Sequence, residues 1–138
     1  ADNRDAATRA RDIYGRRVAA DGARLGGGFR ISGLKAVKDE GAPAVVWNAT
    51  ANEYLVVRHD WRNLTLHRGA DPYGRRVGPD GVPIGGDIRI SGVNAVGSEY
   101  YPEVACGQAT GQCLVVWEDS RDFETGRLVD IYGRRVDG

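Results

Sequence analysis

Asp-x-Arg recurs down this chain as Asp2-Asn3-Arg4, Asp60-Trp61-Arg62 and Asp119-Ser120-Arg121, followed each time by Asp5, Asn63 or Asp122. A carboxylate two residues from a guanidinium has two uses. As a ligand site, the Arg fork grips a carboxylate, a sulfate or sugar hydroxyls, with Trp61 or Trp117 as a stacking surface. The ligand-binding set is then Asp60, Trp61 and Arg62 in one copy and Trp117, Asp119 and Arg121 in the other. As a clasp, the Asp caps the loop backbone and the Arg pairs with an acidic residue of the same or the next unit. A motif present in every unit favours the clasp. Asp2 with Asp5, and Asp119 with Asp122, could also supply oxygen ligands to calcium. Asn63 breaks that pattern in the central copy and the EF-hand spacing is absent, so no cofactor is expected.

Cys106 and Cys113 flank Gly107-Gln108-Ala109-Thr110-Gly111-Gln112, and the equivalent positions of the other copy hold Trp47 and Tyr54. An aromatic pair at matching positions places the two residues opposite each other across a hairpin. A disulfide is favoured over the alternative, a pair of buried reduced thiols. The spacing fits no zinc motif, and neither His recurs at a ligand spacing. There is no phosphate loop, no His-Glu-x-x-His, no nucleophile elbow and no Asp box of sialidase type. A glycosidase-like carboxylate pair such as Glu99 and Glu103 stays open, but nothing singles it out. No catalytic residue is assigned.

These residues sit in a long internal repeat. Tyr-Gly-Arg-Arg starts at Tyr14, Tyr73 and Tyr132, a constant step of 59 residues. Around it, Asp12-Ile13-Tyr14 returns as Asp71-Pro72-Tyr73 and Asp130-Ile131-Tyr132. Asp21-Gly22 returns as Asp80-Gly81, Arg30-Ile31-Ser32-Gly33 as Arg89-Ile90-Ser91-Gly92, and Tyr54-Leu55-Val56-Val57 as Cys113-Leu114-Val115-Val116. Self-similarity of this period points to propellers, solenoids or arrays, whose units bury their faces against neighbours.

The central unit reads as four strands: 43–49, 54–59, 71–77 and 82–90. Between the last two, Gly78-Pro79-Asp80-Gly81 is a hairpin turn. The second strand is apolar at successive positions, Leu55-Val56-Val57, which means both faces are covered. That suits a propeller blade held between two others better than a β-sandwich, the alternative, which would alternate more cleanly. In the third strand the consecutive Arg residues must point to opposite faces, and Gly15, Gly74 and Gly133 let a ring or backbone approach closely. The chain reads as one repeat domain, 1–138, with a partial blade 1–33, a full blade 42–91 and a partial blade 101–138. The strand count is two, four and three, about two and a third blades. Ring closure then needs several chains or a longer protein, so self-association is expected, because bare strand edges invite pairing. Residue 1 is Ala and falls in mid-repeat, so the chain is expected to be processed or excised from something longer.

Lys plus Arg equals Asp plus Glu at 19 each, so the formal net charge is zero. Nothing draws the chain to nucleic acid or an anionic membrane, and no apolar run is long enough to span a bilayer. Arg supplies 17 of the 19 cations, which suits local pairing or planar recognition. Asn48-Ala49-Thr50 and Asn63-Leu64-Thr65 are glycan acceptor triplets.

The pattern Pro-x-Val, then Tyr/Cys-Leu-Val-Val-Trp-x-Asp-x-Arg, Asp-Ile-Tyr-Gly-x-Arg-Val, Asp-Gly and Ile-Ser resembles tandem repeats of large secreted bacterial proteins, which look like β-propeller modules. The resemblance covers nearly the whole chain. It implies an extracellular setting and a non-catalytic binding or scaffolding role, with carbohydrate or another protein as partner. Carbohydrate is the first expectation. A purely structural self-associating repeat and a fragment of a propeller glycoside hydrolase are the rivals. The chain departs from the pattern at Arg58, where the other copy has Trp117, so the Trp is no obligatory part of each unit.

Overall fold

A computed structural model describes residues 10–65, 68–93 and 95–137. Asp2-Asn3-Arg4-Asp5 lies outside them. The described chain is all-β, with nine strands in three antiparallel sheets and no α-helix. The first sheet holds β1 (Tyr14–Val18) and β2 (Arg24–Arg30). The second holds β3 (Glu40–Asn48), β4 (Glu53–Asp60), β5 (Asp71–Val77) and β6 (Pro83–Arg89). The third holds β7 (Glu99–Cys106), β8 (Cys113–Asp119) and β9 (Asp130–Val136). Strand order within each sheet follows the chain, so every sheet is a meander. No helix among the described residues is long and apolar enough to cross a membrane.

The copies share their register. Tyr14 faces Arg30 as Tyr73 faces Arg89. Trp47 faces Tyr54 as Cys106 faces Cys113. β3 begins three residues earlier than the apolar pattern indicates, because Glu40 and Gly41 pair with Asp60 and His59 before a bulge. β7 carries the same bulge between Tyr100 and Glu103. Ala42 and Tyr101 occupy it with φ of 44° and 51°, a conformation non-glycine residues seldom adopt. The Asp-Gly turns also match. Gly22 and Gly81 take φ of 86° and 88°, and the Asp21 and Asp80 carboxylates accept the N–H groups of Ala23 and Val82 at 2.9 and 3.0 Å.

The unbroken apolar run of β4 is explained by packing on both faces. Val56, beside Val77 of its own sheet, meets Ile13, Ile31 and Phe29 from the side of the first sheet. Leu55 and Val57 point the other way, into a core with Ile90, Cys113, Val115 and Trp117. The central sheet is thus covered on both sides, an arrangement that blade-like and sandwich-like folds share. Sheets two and three are also tied at their hairpin tips. The Asn48 amide donates to the Gly111 carbonyl at 2.7 Å, and the Thr50 hydroxyl to the Gln108 carbonyl at 3.2 Å. Asn48 is buried there, and the Asn63 amide donates to Asp71 and Tyr73. Both glycan-acceptor amides are engaged inside the fold.

Cys106 and Cys113 form a disulfide across the hairpin. Trp47 and Tyr54 fill the same place in the central sheet, with ring centroids 4.8 Å apart. The loop that the disulfide closes is short, and loop-closure entropy gives it about 2 kcal/mol. Reduction should lower the unfolding free energy, read from urea denaturation, by that amount, and with it the midpoint, without loss of β-sheet circular dichroism. An unchanged midpoint would show that the core alone fixes the hairpin.

Candidate functional site

The Asp-x-Arg spacing closes on itself. Asp60 ends β4, and its carboxylate accepts the Arg62 backbone N–H at 2.7 Å, the geometry of an Asx turn. That turn swings the Arg62 side chain back, and its Nε and Nη2 donate to the same carboxylate at 2.8 and 2.5 Å. Arg62 then lies over the Tyr73 ring, with Cζ 4.1 Å from the centroid. The third sheet repeats this. Asp119 accepts from the Arg121 backbone at 2.9 Å and from its guanidinium, and Arg121 sits 3.8 Å over the Tyr132 ring. Asp-x-Arg and Tyr-Gly-Arg-Arg are therefore two halves of one clasp.

A buried glutamate completes each clasp from the first strand of its sheet. Glu40 pairs with Arg58 Nε at 2.5 Å and accepts from the Ser32 hydroxyl. Glu99 pairs with Arg121 at 3.3 Å, and the Ser91 hydroxyl opposes part of the upward push of burial on its carboxyl. Ser32 and Ser91 follow the last strand of the preceding sheet, and through Glu40 the Ser32 hydroxyl joins one sheet to the next. In the central sheet Asp87 is the further acid, reached by Arg58 at 3.0 Å, Arg62 at 2.7 Å and Arg75 at 3.4 Å. In the third sheet Trp117 replaces Arg58, and its indole N–H donates to Asp119 at 3.1 Å.

Burial pushes the Glu40 carboxyl up to about 7, against the pull of Arg58 and Ser32. It pushes Glu99 to about 8, where Asp119 and Asp71 add to the rise and no Arg58 is present to oppose it. Asp87 and Asp119 move down, because their Arg partners outweigh burial. Raised carboxyls keep protons in the folded state that the unfolded chain releases near 4.5. Their contribution to stability is therefore full below that value and declines as pH rises to about 7 for Glu40 and about 8 for Glu99. His59, lowered by burial, acts in the opposite direction below 6.5. The urea midpoint should fall between pH 6.5 and 8.5, and Glu99→Gln should flatten that fall. An equal fall in the variant would exclude Glu99 as its source.

Of the six residues proposed as ligand-binding, the fold buries Asp60, Trp117 and Asp119 and occupies Arg62 and Arg121 with intramolecular partners. Trp61 differs. It is half-buried, 5.5 Å from the Tyr100 ring, in a cluster with His59 and the exposed Tyr101. Glu99 is sealed inside while Glu103 is exposed, so the two are not presented to one pocket. Asp122 accepts from the Tyr132 hydroxyl at 3.1 Å. No group of three or more His, Cys, Asp or Glu among the described residues is arranged to hold a metal. The glycines of Tyr-Gly-Arg-Arg make room for the isoleucine after the fourth strand: a Cβ on Gly15 or Gly74 would lie 2.9 or 3.2 Å from Cδ1 of Ile31 or Ile90.

Sequence reasoning missed Glu40 and Asp87, and weighed Glu99 only as the partner of Glu103, not as part of the clasp. The shared place of Glu40 and Glu99 was open to discovery, since they stand one 59-residue step apart. Asp87 has no counterpart in the first copy, which has Gly28 there, so the repeat gave no signal. Compared with known family models, curated proteins and solved structures, the chain matches none.

Proposed function

We propose that this chain is a non-catalytic scaffolding module of a secreted bacterial protein, made of propeller-type blades that associate with further blades of the same kind. One observation carries this reading: the side chains able to meet a ligand are closed on each other in both copies. Asp60 and Asp119 are buried under Arg62 and Arg121, and those guanidiniums lie over Tyr73 and Tyr132. The close carboxylates recur in both sheets and are shielded by arginine, which disfavours a glycosidase fragment.

A second reading, carbohydrate binding, has its own support in the aromatic rim of His59, Trp61, Tyr100 and Tyr101 between sheets two and three. Tyr101 is 60% exposed at its positive-φ bulge and offers a face to a sugar ring. A glycan screen of wild type, Arg62→Ala and Tyr101→Ala, with urea denaturation of each, separates the two. The scaffold reading expects no glycan bound and a loss of about 3 kcal/mol in Arg62→Ala, which strands buried Asp60. Glycan binding that a folded Tyr101→Ala variant loses would replace it with the lectin.

A further inference from the structure

The two clasps are closed, but a cavity of about 380 Å³ opens beside the central one, lined in part by Lys35, Arg62, Arg75, Gly86 and Asp87. We propose that it is a binding site for a small hydroxy-dicarboxylic acid, whose carboxylates meet Lys35 and Arg75 and whose hydroxyl donates to Asp87. The site goes beyond the scaffold reading and does not depend on it.

The elements around the cavity hold its charges in place. Arg75 stands on β5, which has a strand on each side. Opposite it β6 bulges: Arg76 pairs with Ile84 and Gly74 with Ile88, so Gly85, Gly86 and Asp87 together oppose Arg75. Bulges of this kind re-aim a side chain. Here Asp87 is turned toward Arg62 at 2.7 Å, Arg58 at 3.0 Å and Arg75 at 3.4 Å, and its side chain is 6% exposed. The loop that carries Lys35 is seated on the same carboxylate, since a Cβ on Gly33 would collide with it.

Three features of the cavity are not used by the clasp. Lys35 is exposed and forms no ion pair with a described residue. The Arg75 side chain makes one hydrogen bond among the described residues, the long one to Asp87, and its Nε is buried without a partner. Glycine at 86 is not demanded by packing. A Cβ there would meet nothing within 4 Å, and its φ lies outside the left-handed region. What the missing side chain does is leave the cavity open.

Charge and shape select the ligand. The cluster holds four cations, Lys35, Arg58, Arg62 and Arg75, and three carboxylates, Glu40, Asp60 and Asp87. Glu40 keeps its proton up to about pH 7, so below that value two positive charges are in excess, which a dianion balances. A bare anion would also meet the Asp87 carboxylate, whereas a hydroxyl turns that group into a partner. A carboxylate accepts at about four positions, and the arginines take three. The volume lies within the range of about 300–1,000 Å³ usual for small organic ligands and is more than an inorganic anion fills.

The test is isothermal titration calorimetry of the full chain at mildly acidic pH with L-malate, succinate, D-galacturonate and inorganic phosphate. Saturable binding of malate is expected. Succinate lacks the hydroxyl, galacturonate offers one carboxylate and phosphate offers neither, so each should bind at least about tenfold more weakly, the worth of one charged hydrogen bond. Lys35→Gln, at an exposed position, should weaken malate binding by about the same factor. Gly86→Leu should abolish it and leave the urea midpoint unchanged. Absence of saturable malate binding overturns the proposal, as does a folded Gly86→Leu or Lys35→Gln variant that binds like the wild type. Succinate or phosphate bound as tightly as malate would reduce the cavity to a general anion site. Galacturonate bound as tightly would assign it to an acidic glycan, and either result refutes the hydroxy-dicarboxylic acid.

Discussion

Replacing Arg58 with Ala is expected to cost about 3–5 kcal/mol, the loss that follows when one partner of a buried charge network is removed. Arg58 is fully buried and lies 2.5 Å from Glu40, 3.0 Å from Asp87 and 3.9 Å from Asp60. Without it, three carboxylates at the centre of the protein share Arg62 and the more peripheral Arg75. Against a domain stability of about 5–15 kcal/mol, much of the cooperative unfolding transition would be lost. Urea denaturation followed by tryptophan fluorescence measures this. The third sheet supplies the rescue. Arg58→Trp alone leaves Asp87 short of its main cation, whereas Arg58→Trp with Asp87→Gly places the indole that Trp117 provides in the third sheet and removes the stranded carboxylate, and should recover more than half of the loss. A double variant no more stable than Arg58→Trp would show that Asp87 is not what ties the central sheet to an arginine.

Trp117→Ala is the second large effect, also expected at about 3–5 kcal/mol. The indole is buried in the core between sheets two and three, beside Leu55, Val57 and Val115. Truncation leaves a cavity that two sheets cannot collapse to fill. It also removes the N–H that Asp119 accepts at 3.1 Å, so the clasp loosens with the core. Trp117→Phe separates the terms. It keeps most of the apolar contact and should cost roughly 1–2 kcal/mol, the range for a buried polar group left without its donor. Thermal and urea unfolding of the two variants would reveal the difference. Equal losses would mean that the hydrogen bond, not the packing, dominates.

Much of the architecture was legible because the repeat aligns the chain with itself. The third strand of the central unit, 71–77, is found as Asp71–Val77. The Cys106–Cys113 bond was foreshadowed by Trp47 and Tyr54 at the same offset. The start of β3 was hidden, since a bulge at Ala42 has no apolar signature. The inner side of the site was hidden for a different reason. Reading Arg62 over Tyr73, or Glu40 beside Arg58, requires the register of three strands together. A sequence gives the period of a strand but not which neighbour lies across it. Asp-x-Arg was weighed as a clasp and as a ligand site because spacing alone allows both; the Asx turn at Asp60 directs Arg62 inward.

The meander order of the sheets sets how the chain can reach this state. Every strand pairs with its neighbours in sequence, so each sheet closes over short loops with little entropic cost and without waiting for distant segments. The longer-range steps are the dockings between sheets, through Val56 on one side and Leu55 and Val57 on the other. Folding can then begin in any one sheet and spread to the next, as in other repeat arrays. While that spread is incomplete, the exposed species is a preformed sheet with an apolar face, able to dock on a neighbour from the same chain or from another. The rate of synthesis and the local concentration of chains would decide between these outcomes.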